Sequence, residues 1–327
     1  MKKLFVIVSF LLMFLLVFTS CNAADQADKA EKEKITEQDT ESTVKSENFE
    51  TKVTEKKKEY SLIFVPSLGE NLNVKLPEGA KSESEFCTEE KISFSYANIE
   101  KANRPDKFKD ISTAELKIGD IAYNATYVES FERTLLSNKK FGQFSGYDEY
   151  KGDNFIFNLN HKDGALSLFI NYNAYEVRGG NLTEEKAISI ADNQIAKLFG
   201  ENAVKDYKRM TIRTNDTMRD TYSVYYVRTV HGIETQDAIS VTINMQGQIG
   251  AVNANFFGLF ANAENEITKE QIDNAIKAAE DRFLEDYTVN NKYLTIDSNG
   301  DYYVELYVTI ASEDGETRPV VFYINVI

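Results

Sequence analysis

Hydrophobic and polar positions divide the chain into three regimes. Residues 4–18 form one apolar run behind Lys2 and Lys3. Residues 22–59 hold only isolated apolar positions, Ile35, Val44, Phe49 and Val53, among 8 Lys and 11 Asp or Glu. From Tyr60 onward short alternating runs take over, at 60–65, 71–76, 92–97 and 121–128, bounded by Gly, Asn, Pro and Lys. Period-two alternation between such boundaries predicts strands with one buried face.

A repeat organises the second half. Residues 155–160, 239–244 and 320–325 share one alternating apolar pattern that ends in Asn. Gly164 and Gly247 sit at the turns that follow the first two copies, and each leads through a second strand to a helix start at Thr183 or Thr268. Threonine suits an N-cap because its hydroxyl accepts an orphan backbone N–H, and Gln271 three residues after Thr268 fits a capping box. Ile188, Ala191, Ile195 and Leu198 recur at helical spacing, as do Ile272, Ala275, Ala279 and Phe283. Tyr-rich strands at 222–227 and 302–308 come next. The order helix, strand, strand, strand predicts an α+β fold of repeated helix plus antiparallel-sheet units, preceded by a β-rich domain. The expected division is 1–20, signal peptide; 21–59, charged disordered tether; 60–180, β-rich domain; 181–265 and 266–327, two repeats, the second lacking its final hairpin arm.

The N-terminal run changes the picture of where the chain works. A basic start, an apolar stretch too short to span a bilayer and small residues before Cys21 match a bacterial lipoprotein signal. Cys21 then becomes the lipidated first residue, on the extracytoplasmic face of the cell membrane. The formal charge of −15 argues against nucleic acid as a partner and against binding through a basic patch, so the membrane partner is met through the lipid. With Cys21 lipidated, Cys87 has no disulfide partner, and the fold must rest on its core; a buried, inert thiol is expected there.

Residues 182–191 (Leu-Thr-Glu-Glu-Lys-Ala-Ile-Ser-Ile-Ala) resemble the opening helix of PepSY-like domains. Residues 226–233 and 239–244 with Gly247 are similar to their closing strands. Such domains occur in secreted peptidase propeptides and envelope proteins, so the resemblance implies binding, inhibition or regulation. No peptidase domain accompanies them here, which leaves action in trans.

The chain carries few residues for chemistry. His161 and His231 sit in corresponding turns and read as exposed turn residues. Among the usual catalytic signatures, His-Glu-x-x-His, Gly-x-Ser-x-Gly, phosphate loops and Cys-x-x-Cys are all missing. Residues 297–301 place acids at positions 1 and 5 of a calcium loop, but Tyr302 and Val308 stand where Gly and Glu are required. Asn299-Gly300 instead predicts a tight type I′ hairpin. No enzyme, cofactor or metal is expected. Tyr222, Tyr225, Tyr226, Tyr302, Tyr303 and Tyr307 are the candidate binding surface, since tyrosine offers rigid amphipathic contact area. The functional expectation is a non-catalytic module that binds or regulates an envelope protein or peptidase, with a solute- or wall-polymer-binding lipoprotein as the alternative.

Overall fold

Alternating stretches become strands wherever a neighbouring backbone is available to pair with them. The computed structural model describes residues 59–65, 75–216, 219–311 and 316–327. The expected signal peptide, Cys21, the tether up to residue 58 and most of the strand expected at 71–76 lie outside the described residues. In the first half the strands are β1 (Leu62–Val65), β2 (Lys81–Ser82), β3 (Ile99–Lys101), β4 (Thr113–Ile118), β5 (Ile121–Arg133), β6 (Gly146–Lys151), β7 (Phe155–Asn160) and β8 (Leu166–Asn171). The second half adds β9 (Tyr207–Asn215), β10 (Asp220–Val230), β11 (Ile233–Asn244), β12 (Ile249–Asn253), β13 (Tyr287–Ile296), β14 (Tyr302–Ala311) and β15 (Thr317–Asn325). Among the described residues five α-helices accompany them: α1 (Glu83–Glu90), α2 (Tyr172–Glu176), α3 (Glu184–Phe199), α4 (Ala263–Glu266) and α5 (Lys269–Glu280).

All fifteen strands join one mixed sheet, in the order β2-β1-β15-β14-β13-β11-β12-β8-β7-β6-β5-β3, with β10 and β9 branching from β11 and β4 beside β5. β11 is the junction. Its Ser240–Ile243 stretch pairs antiparallel with β12, while Glu234 and Thr235 on the same strand pair parallel with Tyr293 and Leu294 of β13. The expected α+β architecture of repeated helix-plus-sheet units is therefore overturned. The described chain is dominated by strands in one sheet, and residues 59–327 form a single compact unit. The reason is physical: periodicity reports which face of a strand is apolar, but not which strand its edge will meet. β12 meets β8 and β11 meets β13, so pairing runs straight through both expected boundaries, 180/181 and 265/266.

The two long helices start where the caps and periodicity put them, although α5 ends at Glu280, before Phe283 of the expected stripe. Thr183 and Thr268 accept from the N–H groups of Lys186 and Gln271, and Gln271 Oε1 accepts from Thr268 N at 2.9 Å to complete the capping box. α3 buries Ala187, Ala191, Gln194 and Ile195 against β10, β11 and β12; α5 buries Ile272, Ala275, Ile276 and Ala279 against β13–β15. Gln194 is a polar residue in the apolar stripe because its Oε1 accepts from Gly119 N at 2.7 Å, which ties the β4–β5 turn to the helix.

The recurring strand-end Asn has a structural job. Asn244 Oδ1 accepts from the N–H groups of Gln246 and Gln248, both at 3.0 Å, and so closes the β11–β12 turn. Asn160 does the same more simply, accepting from Lys162 N at 3.1 Å. In the third copy Asn325 Oδ1 accepts from Ser61 N at 2.7 Å. Here β1 pairs antiparallel with β15, Leu62 opposite Ile324, and takes the place of the missing hairpin arm. Two expectations change locally. Asn299 does not adopt positive φ; only Gly300 does, at +84°. Asp297 Oδ1 holds the N–H groups of Asn299 and Asp301 instead, giving a longer loop than type I′. The true two-residue turn with positive φ at both positions is His231-Gly232, at +49° and +87°. Residues 92–97 alternate but form no strand, because they lie across the sheet face, where Ile92 and Phe94 pack against Ile63 and Tyr303.

Candidate functional site

An open groove among the described residues grows from an irregularity in β5. Between Tyr127 and Glu129 its register with β6 shifts by one residue. A bulge of this kind re-aims the side chain it carries. Val128 is 49 % exposed as a result. Beside it lies the groove, of about 710 Å³, lined by Asn124, Thr126, Tyr127, Lys151, Asp153 and Phe155. Phe155 reaches the groove by lying across Gly152; a Cβ there would stand 2.2 Å from its ring.

The groove's aromatic wall is held from behind. The Arg104 guanidinium lies 3.8 Å from the Tyr127 ring centroid, while its Nε donates to Asp148 Oδ2 at 2.8 Å and its Nη2 donates to Tyr150 Oη at 2.7 Å. Tyr127 Oη lies 3.0 Å from Ser130 Oγ, which donates to Asp148 Oδ1 at 2.6 Å. His161 Nε2 donates to the same oxygen at 2.8 Å. Asp148 is 2 % exposed. Burial alone would raise its carboxyl, but the bonds from Ser130, His161 and Arg104, with the Arg104 charge, hold it below the usual carboxylate range. Ser130, His161 and Asp148 share a neighbourhood without forming a relay: serine and histidine both bond the carboxylate rather than each other. A nucleophile needs its base within hydrogen-bond reach. The cluster orients Tyr127.

No family model, curated protein or solved structure matches this chain.

The predicted tyrosine surface is not a surface. Tyr225, Tyr226, Tyr302 and Tyr303 are buried, and Tyr222 and Tyr307 half-buried. Alternation sends neighbouring rings to opposite faces, and both faces are covered. Tyr226 enters the core under α3, where its hydroxyl bonds Asp192. Tyr302 enters the core under α5 and donates to Glu266 Oε2 at 2.7 Å. On the other face Tyr303 meets Phe94 at 4.8 Å between centroids. Tyr222 lies beneath the Arg213 guanidinium, 5.0 Å away. The histidines also differ from expectation. Both are half-buried, and His231 Nε2 donates to Ile267 O at 2.8 Å. Cys87 is half-buried, its thiol pushed up by burial and by the negative charges of Glu83 and Asp297. No three described His, Cys, Asp or Glu are placed to hold a metal ion.

Besides Asp148, two further buried carboxyls went unseen in the sequence. Asp237 is fully buried but well satisfied: Tyr207 Oη, Arg228 Nε and the N–H groups of Gly258 and Phe260 all donate to it. It clamps the loop after β12 to β11. Glu305 is 7 % exposed, in the middle of β14, directly between Tyr293 of β13 and Tyr323 of β15. Tyr307 Oη donates to its Oε1 at 3.1 Å and Tyr323 supplies a second hydroxyl bond. Among the described residues no cation forms an ion pair with it. Burial pushes this carboxyl up to about 7. Its only sequence signal is one Glu in a strand otherwise made of Tyr, Val, Leu, Ile, Thr and Ala.

Proposed function

We propose that the chain is an extracytoplasmic lipoprotein, held to the cell membrane by lipid on Cys21, that works as a non-catalytic module binding a solute or a cell-wall polymer in the groove beside Tyr127. The observation that carries this reading is the rigid, solvent-open aromatic wall. Arg104 and Ser130 fix the ring. Asn124 and Thr126 offer amide and hydroxyl groups next to it, and Lys151 and Asp153 offer charge of both signs. At about 710 Å³ the groove falls within the range of roughly 300–1,000 Å³ usual for small-ligand sites. An aromatic face backed by hydrogen-bonding groups suits a sugar ring, which has an apolar face and a polar rim. The resemblance of residues 182–191 to PepSY-like domains also favours binding over turnover.

A protein partner, an envelope protein or peptidase, is the second reading. It is favoured by the exposed Ile99, Ile111, Ile121 and Val128. Calorimetric titration with muropeptides and wall-polymer fragments tests the first reading. Binding is expected, with an affinity loss of about tenfold in Tyr127→Ala and several-fold in Asn124→Ala, in line with about 1–3 kcal/mol for a stacked, hydrogen-bonded group. Unchanged affinity in both variants removes the groove from the mechanism. Covalent capture of one envelope protein through position 121 or 128 selects the second reading. The anchor is tested separately: Cys21→Ala is expected to abolish lipid labelling and release the protein from membranes.

A further inference from the structure

Residues 83–98 lie across the face of the sheet opposite α5. α1 begins this strap, and Ile92 and Phe94 continue it. Phe94 stacks on Tyr323 at 4.4 Å and meets Tyr303 edge-on. Ser93 and Ser298 exchange two hydrogen bonds, each 2.9 Å. Tyr96 Oη reaches Thr295 Oγ1 at 3.4 Å. Beneath this cover sits Glu305, in a cross-strand row with Tyr293, Tyr323 and, on β1, Ile63.

Among the described residues, the titratable groups that act on Glu305 are neutral or acidic. From α1 comes Glu83, whose carboxyl is itself raised by burial. The strap supplies Tyr96, β13 Tyr293, β14 Tyr307 and β15 Tyr323, and only Glu83 adds charge, of the same sign. A protonated Glu305 can stay under the strap with its hydroxyl partners. An ionised one is an uncompensated buried charge facing a second carboxyl, which favours the arrangement that readmits water.

We infer that Glu305 is a proton-operated latch: protonated, it lets residues 83–98 seat on β13–β15, and ionised, it loosens them. The inference is independent of the groove and its ligand. For a carboxyl raised in the seated state the linkage has one sign. Seating is strongest below the group's ordinary value, weakens as pH rises toward about 7 and then levels off.

Hydrogen exchange of the full-length protein, read by mass spectrometry and corrected for the chemical exchange rate, tests it. Protection of amides in 83–98 is expected to fall about tenfold or more between pH 5 and 7 and to change little from 7.5 to 8.5, while α5 stays protected throughout. Glu305→Gln is expected to leave at most a few-fold fall, the share of the buried Glu83, and Glu83→Gln to shrink the wild-type fall. Strap protection that ignores pH in the wild type overturns the latch. So does the same fall in Glu305→Gln; should that variant not fold, an undiminished fall in Glu83→Gln does the same.

Discussion

Asp148 shows how much of this protein's behaviour is decided by one side chain's partners. Three donors converge on it, and one of them, Arg104, also carries the groove's aromatic wall. Asp148→Asn leaves a largely buried guanidinium without its counter-charge, so a loss of about 3–5 kcal/mol in urea unfolding at pH 7 is expected. Because the carboxyl is held low, its contribution is present above the ordinary carboxylate value and is lost as pH falls through the lowered one. The gap between wild type and variant should therefore narrow below about pH 4; a constant gap from pH 7 to pH 3 would refute the assignment. Gly146 gives a second handle. A Cβ there meets His161 Nδ1 at 2.2 Å, so Gly146→Ala should displace the imidazole and cost about 1–3 kcal/mol in the same assay. Little of this was legible in the sequence. Asp148 and His161 are thirteen residues apart and meet only because β6 and β7 pair side by side. The tyrosines were visible as an alternating set, but alternation does not say that the second face is covered as well as the first.

Elements were read more securely than their partners. Caps and stripes of α3 and α5 follow from spacing within one helix, and those interactions are local. Residues 92–97 misled the strand reading because a strap lying across a sheet face needs alternating apolar residues just as a strand does. The recurrent strand-end Asn was plain in sequence, whereas its role depends on what each turn lets it reach. Asn244 is buried, closes its turn with two accepted bonds and also donates to Ala174 O at 2.9 Å, which pins α2 against the hairpin. Asn160 is half-buried and accepts one bond. Asn244→Ala is accordingly expected to cost about 2–4 kcal/mol and Asn160→Ala about 1 kcal/mol, by thermal or urea unfolding. Equal costs would mean that the turn rather than the buried network sets the energy.

At the scale of the whole molecule, pairing between distant segments decides the architecture. One sheet forms because β11 offers a single edge to both β12 and β13, and β12 passes the pairing on to β8. No local pattern encodes those choices, which is why the fold class went wrong while the helices came out right. The same holds for β1, which buries Leu62 and Ile63 against a strand more than 250 residues away in sequence. A chain starting after Val65 should leave the β15 edge unpaired. Exposed strand edges template association, so lower stability and concentration-dependent oligomers in analytical ultracentrifugation are expected of it; a monomer as stable as the full chain would show that β1 is dispensable.

That strand also sets how the molecule carries load. Glu59 gives its carbonyl, and Ser61 its N–H, to the side chain of Asn325 near the opposite end of the chain. Any pull transmitted from upstream of Glu59 is borne first by these contacts and by the β1–β15 ladder. Closure of the β15 edge rests on this one set of hydrogen bonds, and a force that strips β1 would expose that edge.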